Sequence, residues 1–259
     1  MDRLAASLQA VLRAAFLVLH LALGLVLATG LVLCGGPAWY RGPAGRWVLR
    51  HWMAWLNRVL GVRVTVQGTP CPGPVLLVAN HVSWLDVPAL AAVCPAVFVS
   101  KAEVRRWPVL GWLAACAGTR FLQRGSLARV RRVVGAMARE LERGLQVVVF
   151  PEGTTSHGVD AGPFRPVLLQ AATLAGCPVQ PVALRYVRDG QHDPLAPFVG
   201  NDTLLSHLWR LLRDGRREVQ LHFCVPLSGA GTEPRALARE SRRWIRARLR
   251  PAAVEGRAA

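Results

Sequence analysis

Residues 14–34 run without a formal charge and with a single His, His20, which is long enough to cross a ~30 Å hydrocarbon layer. The run exceeds the roughly 7–15 apolar residues of a signal peptide, and no small-x-small cleavage site precedes a polar start, so it reads as an uncleaved anchor. Residues 45–60 then place Trp47, Val48, Trp52, Met53, Trp55, Leu56, Val59 and Leu60 on one broad helical face, with Arg46, Arg50 and Arg58 at its edges. That face suits the headgroup level of a bilayer, and it equally suits packing on a protein core.

Beyond Gly61 the period changes. Short β-rich runs at 62–66, 75–79, 97–100, 146–150, 179–186 and 219–225 read as strands. Helical patterns at 86–93, 108–116, 126–143, 165–175, 201–213 and 233–249 alternate with them. Strand and helix in alternation predict an α/β fold, a largely buried mixed sheet flanked by helices, with ligands at the carboxyl ends of the strands. The organisation expected is a membrane anchor and interfacial helix at 1–60, one catalytic domain at 61–230, and a basic C-terminal helix and tail at 231–259.

Composition sharpens this. Of the 259 residues 52% are hydrophobic, yet the formal net charge is +17, so the chain suits surroundings that are both apolar and anionic. A bilayer with acidic headgroups offers both. Nucleic acid, the other partner of basic proteins, is not expected, because zinc-ligand spacing, an RNP-like strand and a basic heptad region are all missing from the sequence. Five Arg between residues 41 and 63 follow the apolar run and only Arg3 and Arg13 precede it, so the positive-inside rule puts the catalytic domain on the cytoplasmic side of the inner membrane. The six Cys lie in apolar segments without a C-x-x-C pair and read mostly as core residues in a reducing compartment. Seven Arg on the C-terminal helix form either a solvated face or a dock for anionic lipid or an acidic carrier protein.

Two constellations carry candidate chemistry. Asn80-His81-Val82-Ser83-Trp84-Leu85-Asp86 follows the strand at 75–79, so His81 stands in a turn and Asp86 near a helix start. Folded back, Asp86 orients one imidazole nitrogen and leaves the other to take a proton from a hydroxyl. Taken alone, this pair reads equally as a turn and a helix cap. Phe150-Pro151-Glu152-Gly153-Thr154-Thr155-Ser156 ends the strand at 146–150 and offers backbone N–H groups and hydroxyls to an anion. A third stretch, Gly118–Arg124, brings Arg120 and Arg124 near a strand end. A serine hydrolase is excluded by the missing G-x-S-x-G elbow, and a metal enzyme is not expected because the seven His occur singly.

In order and spacing these motifs resemble the glycerolipid acyltransferases typified by 1-acyl-glycerol-3-phosphate acyltransferase. Asn80–Asp86 is similar to the N-H-x-S-x-x-D block, Gly118–Arg124 to G-x-x-F-I-x-R, Phe150–Thr154 to F-P-E-G-T, and Cys177–Val182 to V-P-I-x-P-V. Lys101, Pro108–Gly111 and Pro163-Phe164-Arg165 add smaller matches, and the resemblance spans about residues 62–230. It implies that His81, oriented by Asp86, deprotonates a lysolipid hydroxyl as it attacks an acyl thioester of coenzyme A or acyl-carrier protein, with no cofactor or metal. It implies substrate binding by Arg124, Glu152, Gly153 and Thr154. Where the family often has Arg after F-P-E-G-T, this chain has Thr155, a feature shared with enzymes that acylate lyso-ornithine lipid. The acceptor expected is 1-acyl-glycerol-3-phosphate, giving phosphatidic acid, with lyso-ornithine lipid as the alternative that Thr155 raises. The rival from another class, a non-enzymatic membrane lipid-binding protein, leaves the four ordered motifs unexplained.

Overall fold

The computed structural model describes residues 2–123 and 125–250. The chain begins with α1 (Asp2–Gly35) and α2 (Pro43–Val59), joined through a 3-10 turn at Trp39–Arg41. Then follow β1 (Val62–Gln67), β2 (Leu76–Ala79), α3 (Asp86–Ala91), β3 (Val97–Lys101), α4 (Leu110–Cys116), β4 (Arg120–Leu122), α5 (Leu127–Glu142) and β5 (Val147–Val149). The remainder is α6 (Gln170–Ala175), β6 (Val179–Arg188), β7 (Gln191–His192), α7 (Leu204–Arg213), β8 (Arg217–Phe223) and α8 (Pro234–Leu249). The strands form one sheet in the order β1-β8-β6-β2-β5-β3-β4, with β7 paired to β6. It is mixed as expected: β6 runs antiparallel to β8 and β7, while the other pairings are parallel.

Both faces of the sheet are covered, which is why its central strands read as unbroken apolar runs instead of alternating ones. Along β2, Leu77 and Ala79 face a core shared with α1, α2, α3 and α7, whereas Leu76 and Val78 face α5, α6 and α8. All four are fully buried. Two edge elements escape the sequence pattern. β4 is three residues of intermediate exposure, too short to establish a period, and β7 is a two-residue hairpin return at Asp189-Gly190.

The N-terminal helices are fastened to this domain rather than projecting from it. Arg13 of α1 donates to the carbonyls of Leu212 (3.4 Å) and Gly215 (3.5 Å) beyond α7. Arg41, between α1 and α2, grips the buried Glu140 of α5 with two bonds of 3.0 and 2.7 Å. Arg120 of β4 bonds the same carboxylate and the hydroxyl of Tyr40. Burial works to raise the Glu140 carboxyl, but its bonds to Arg41 and Arg120 outweigh that and hold it below the ordinary value. Gly118 shows why this junction tolerates no side chain: its φ is +82° and a Cβ there would lie 2.5 Å from the Tyr40 ring. Asn57 of α2 donates to Pro88 of α3 at 2.8 Å, so the inner face of α2 packs on the domain, while Trp47 and Trp55 stay exposed.

α8 is part of the same body. Leu237, Ala238, Ile245 and Leu249 are buried against the sheet. Of its Arg residues, Arg242 donates to the carbonyls of Ala161 and Gly162, and Arg246 forks onto Asp160 with bonds of 2.6 and 2.7 Å. The sequence pattern reads the six cysteines mostly as core residues, but only Cys94 and Cys177 are buried, while Cys34 is exposed and the others are half-buried. Burial pushes the Cys94 thiol up to about 12.

Candidate active site

β2 and β5 are parallel neighbours, so the turns at their carboxyl ends meet, and these turns carry the two candidate motifs. Asn80, fully buried at the end of β2, continues the ladder with its side chain. Its amide donates to Leu184 O (3.1 Å) and accepts from Leu184 N (2.8 Å). With β2 thus locked to β6, the next residue, His81, turns out of the sheet plane. Its ring stacks on Phe150 from the end of β5, with centroids 4.2 Å apart and planes 17° from parallel.

Asp86 opens α3 and is fully buried. Its Oδ2 accepts from His81 Nδ1 (2.7 Å) and from the backbone N–H groups of Val82 (2.7 Å) and Ser83 (3.1 Å). Its Oδ1 accepts from the hydroxyl of Tyr186 at 2.7 Å. Four donors therefore hold one carboxylate in a single orientation. With Nδ1–H directed at Asp86, the lone pair of the imidazole sits on Nε2, where a general base needs it. The His81 side chain is 19% exposed, open on one side only.

Glu152 buttresses this arrangement from the second motif. Oε1 accepts from His81 N (2.9 Å) and Oε2 from Gly162 N (2.8 Å), and the side chain is buried. Burial raises its carboxyl above the usual value, while the N–H bonds from His81 and Gly162 pull it down. Gly162 is itself gripped by Arg242 of α8, which links the C-terminal helix to the His81 turn. Ser156 N donates to His81 O (2.8 Å) and Phe198 N to Val82 O (2.9 Å), fixing the turn from both sides.

His81 opens onto a cavity of about 370 Å³ walled by Phe150, Gly153, Thr155, Lys101, Arg165 and Phe198 among others. Of the residues expected to bind substrate, Gly153 lines it, with a φ of +72° that turns the chain behind β5. Glu152 lies behind the wall with both oxygens occupied, and Thr154 is exposed outside the lining. Arg124 lies outside the described residues. Thr155 donates its hydroxyl to Phe198 O and so ties two loops together. His157, which sequence alone leaves unassigned, is exposed.

A second cavity of about 280 Å³ adjoins the first, sharing Trp84, Val87, Phe98, Val104, Trp107, Ala114 and Thr119 as walls. α1 and α2 add Leu21, Leu27, Leu31, Leu49, Met53 and Leu56 to its walls, and α3, α4 and α7 add further apolar side chains. Sequence reading missed two contributors to the site. Tyr186 hides within the apolar run of β6, and its even-numbered register with Val182 and Leu184, on the face toward α3, is the signal that marks it. Arg165 was noted only as a minor match, yet it lines the catalytic cavity.

Fold and site together define an α/β enzyme whose oriented imidazole can activate a hydroxyl beside an apolar chamber. The family model described as Acyltransferase matches residues 63–185. The lyso-ornithine lipid O-acyltransferase of Pseudomonas aeruginosa is 44% identical over 94% of this chain and 95% of its own. The 1-acyl-sn-glycerol-3-phosphate acyltransferase of Neisseria gonorrhoeae is 36% identical over 68% of this chain and 69% of its own. The crystal structure of a 1-acyl-sn-glycerophosphate acyltransferase from Thermotoga maritima superposes with a TM-score of 0.67 at 20% identity, covering 98% of this chain and 100% of that one, and so matches the fold. The chain belongs to the Acyltransferase family. It is an O-acyltransferase.

Proposed function

We propose that the enzyme transfers a fatty acyl chain from a coenzyme A or acyl-carrier-protein thioester to the free hydroxyl of a lysolipid, with lyso-ornithine lipid as the favoured acceptor. The observation that carries the chemistry is the 2.7 Å bond from His81 Nδ1 to a fourfold-held Asp86, in a side chain that lines the cavity and whose Nε2 is not part of that bond. In this reading Nε2 takes the hydroxyl proton as the oxygen attacks the thioester carbonyl. The tetrahedral intermediate then expels the thiolate, which receives the proton, giving ester and thiol. The transfer is direct and calls on no metal or further cofactor.

The acyl chain lodges in the apolar cavity beneath α1 and α2. The acceptor headgroup meets Gly153 and the cationic side chains of Lys101 and Arg165, with Arg124 as a further ligand. Glu152 acts by holding the His81 turn. The preference for lyso-ornithine lipid is supported by Thr155, whose hydroxyl is committed to Phe198 O, and by the 44% identity to a lyso-ornithine lipid O-acyltransferase along nearly the whole chain. The second reading, 1-acylglycerol-3-phosphate as acceptor, is favoured by the cations of Lys101 and Arg165 in the wall.

Residues Ser7–Gly35 are long and apolar enough to cross a membrane. Because α1 packs along the domain from Arg13 to Leu31, we place it in the bilayer surface instead, with Leu12, Phe16, Leu19 and Val26 in lipid and the domain on the cytoplasmic side of the inner membrane.

Membranes containing the enzyme, offered both acceptors in parallel with labelled acyl-CoA and acyl-carrier protein, test the reading. Higher kcat/KM on lyso-ornithine lipid supports it. Higher kcat/KM on 1-acylglycerol-3-phosphate selects the second reading, and transfer to neither sinks both.

A further inference from the structure

His20 sits in the wall of the apolar cavity at 1% exposure, and neither ring nitrogen has a hydrogen-bond partner. Its ring is held firmly: it stacks on Trp52 at 3.9 Å between centroids and meets Trp55 edge-on at 5.1 Å. Ring packing holds the imidazole in place, while neither nitrogen is hydrogen-bonded. The surrounding helix positions, Leu17, Leu21 and Gly24, offer no side-chain polar atom. A cavity whose only task were to hold unsubstituted hydrocarbon gains nothing from an imidazole, which a phenyl ring replaces without the cost of burying two idle polar atoms.

A neutral imidazole carries one donor and one acceptor, and a hydroxyl carries the same pair. We propose that His20 forms a selectivity site for an oxygenated acyl chain, receiving a hydroxyl borne part-way along the hydrocarbon of the acyl donor. The inference rests on the reading that the donor chain occupies this cavity. Trp39, whose indole N–H is also unpartnered in the same wall, is a donor only and so matches a hydroxyl less well.

The test is acyl transfer from a series of thioesters of one chain length, unsubstituted or carrying a single hydroxyl at successive carbons. One hydroxyl position is expected to raise kcat/KM by about tenfold over the unsubstituted chain, the scale of one net hydrogen bond. In His20→Phe the ratio of kcat/KM for the hydroxylated over the unsubstituted donor falls to about one, whatever the change common to both donors. His20→Gln, which keeps a donor and an acceptor, retains part of the preference, and Trp39→Phe retains it in full. A wild type indifferent to hydroxyl position, or a His20→Phe enzyme that keeps the preference, overturns the proposal. If filling the cavity with Gly24→Leu leaves acyl-chain-length selectivity unchanged, the underlying reading fails, and the inference falls with it.

Discussion

Around His81 the carboxylate oxygens of Asp86 and Glu152 each accept from named donors, whereas in the wall built by α1 and α2 the buried polar groups of His20 and Trp39 have none. The first region is fixed by the sheet: adjacent strand ends bring two turns together, and hydrogen bonds hold the side chains of His81, Asp86 and Glu152. The second is fixed by apolar contact with helices that precede the domain, and it is shaped to enclose rather than to react. Chemistry that depends on sub-ångström placement is carried by the region with directional bonds. In the proposed function, selection among hydrocarbon chains falls to the region without them.

The sharpest way to break this contrast is to remove the base. His81→Ala is expected to lower kcat by about 10²–10⁴-fold, the usual contribution of a general base, while membrane association and thermal stability stay near wild type. Unchanged transfer in washed membranes would refute the role assigned to His81.

Tyr186→Phe comes next. It strips Asp86 Oδ1 of its donor inside a buried site, a loss on the order of 1–3 kcal/mol, and part of it is expected to appear as a roughly tenfold fall in kcat. KM for the acyl donor is expected to stay near wild type, because Tyr186 reaches the site only through Asp86. A purely structural role for Tyr186 predicts lower stability with kcat unchanged.

Glu152→Gln is expected to reduce kcat several-fold, since its amide oxygen can accept from only one of His81 N and Gly162 N and its NH2 group, a donor, leaves the other without an acceptor. Burial raises the Glu152 carboxyl above its ordinary value of 4.5, so the folded chain holds that proton more tightly than the unfolded one. Wild type therefore loses stability relative to Glu152→Gln as pH rises from about 4.5 through the folded-state value. Melting temperatures of both proteins across that window read the difference directly, and parallel curves would show that the Glu152 carboxyl is not raised.

The same contrast explains what could be read from the sequence. His81, Asp86 and the Phe150–Thr154 turn were legible because each follows an apolar strand, and turns at strand ends are where a sheet of this kind exposes reactive groups. The main strands and helices were legible because burial on both faces leaves unbroken apolar runs. That β2 and β5 are neighbours was not legible, since pairing order leaves no local trace. Tyr186 was missed because a residue bonding a buried carboxylate looks, in a one-dimensional pattern, like another core position. Glu152 was read as a substrate ligand, yet its oxygens meet two backbone N–H groups, and backbone donors are invisible in sequence. The apolar run at 14–34 showed its hydrophobicity but not its neighbour: Arg13 anchoring onto Gly215 is what lays α1 along the domain.

The smallest effect belongs to the apolar region, and it concerns selectivity rather than rate. Gly24 faces the cavity, and a Cβ placed there would lie 2.9 Å from Trp52 Cζ2, so any side chain must displace that ring into the space the acyl chain is taken to fill. Gly24→Leu is expected to shift preference toward shorter acyl thioesters and to leave kcat for a short donor within about twofold of wild type, because no hydrogen bond of the His81 centre passes through α1. A competition assay with mixed acyl-chain lengths measures this. Equal losses on all chain lengths would mean that α1 supports the catalytic turn mechanically, and the division between a bonded centre and an enclosing wall would no longer hold.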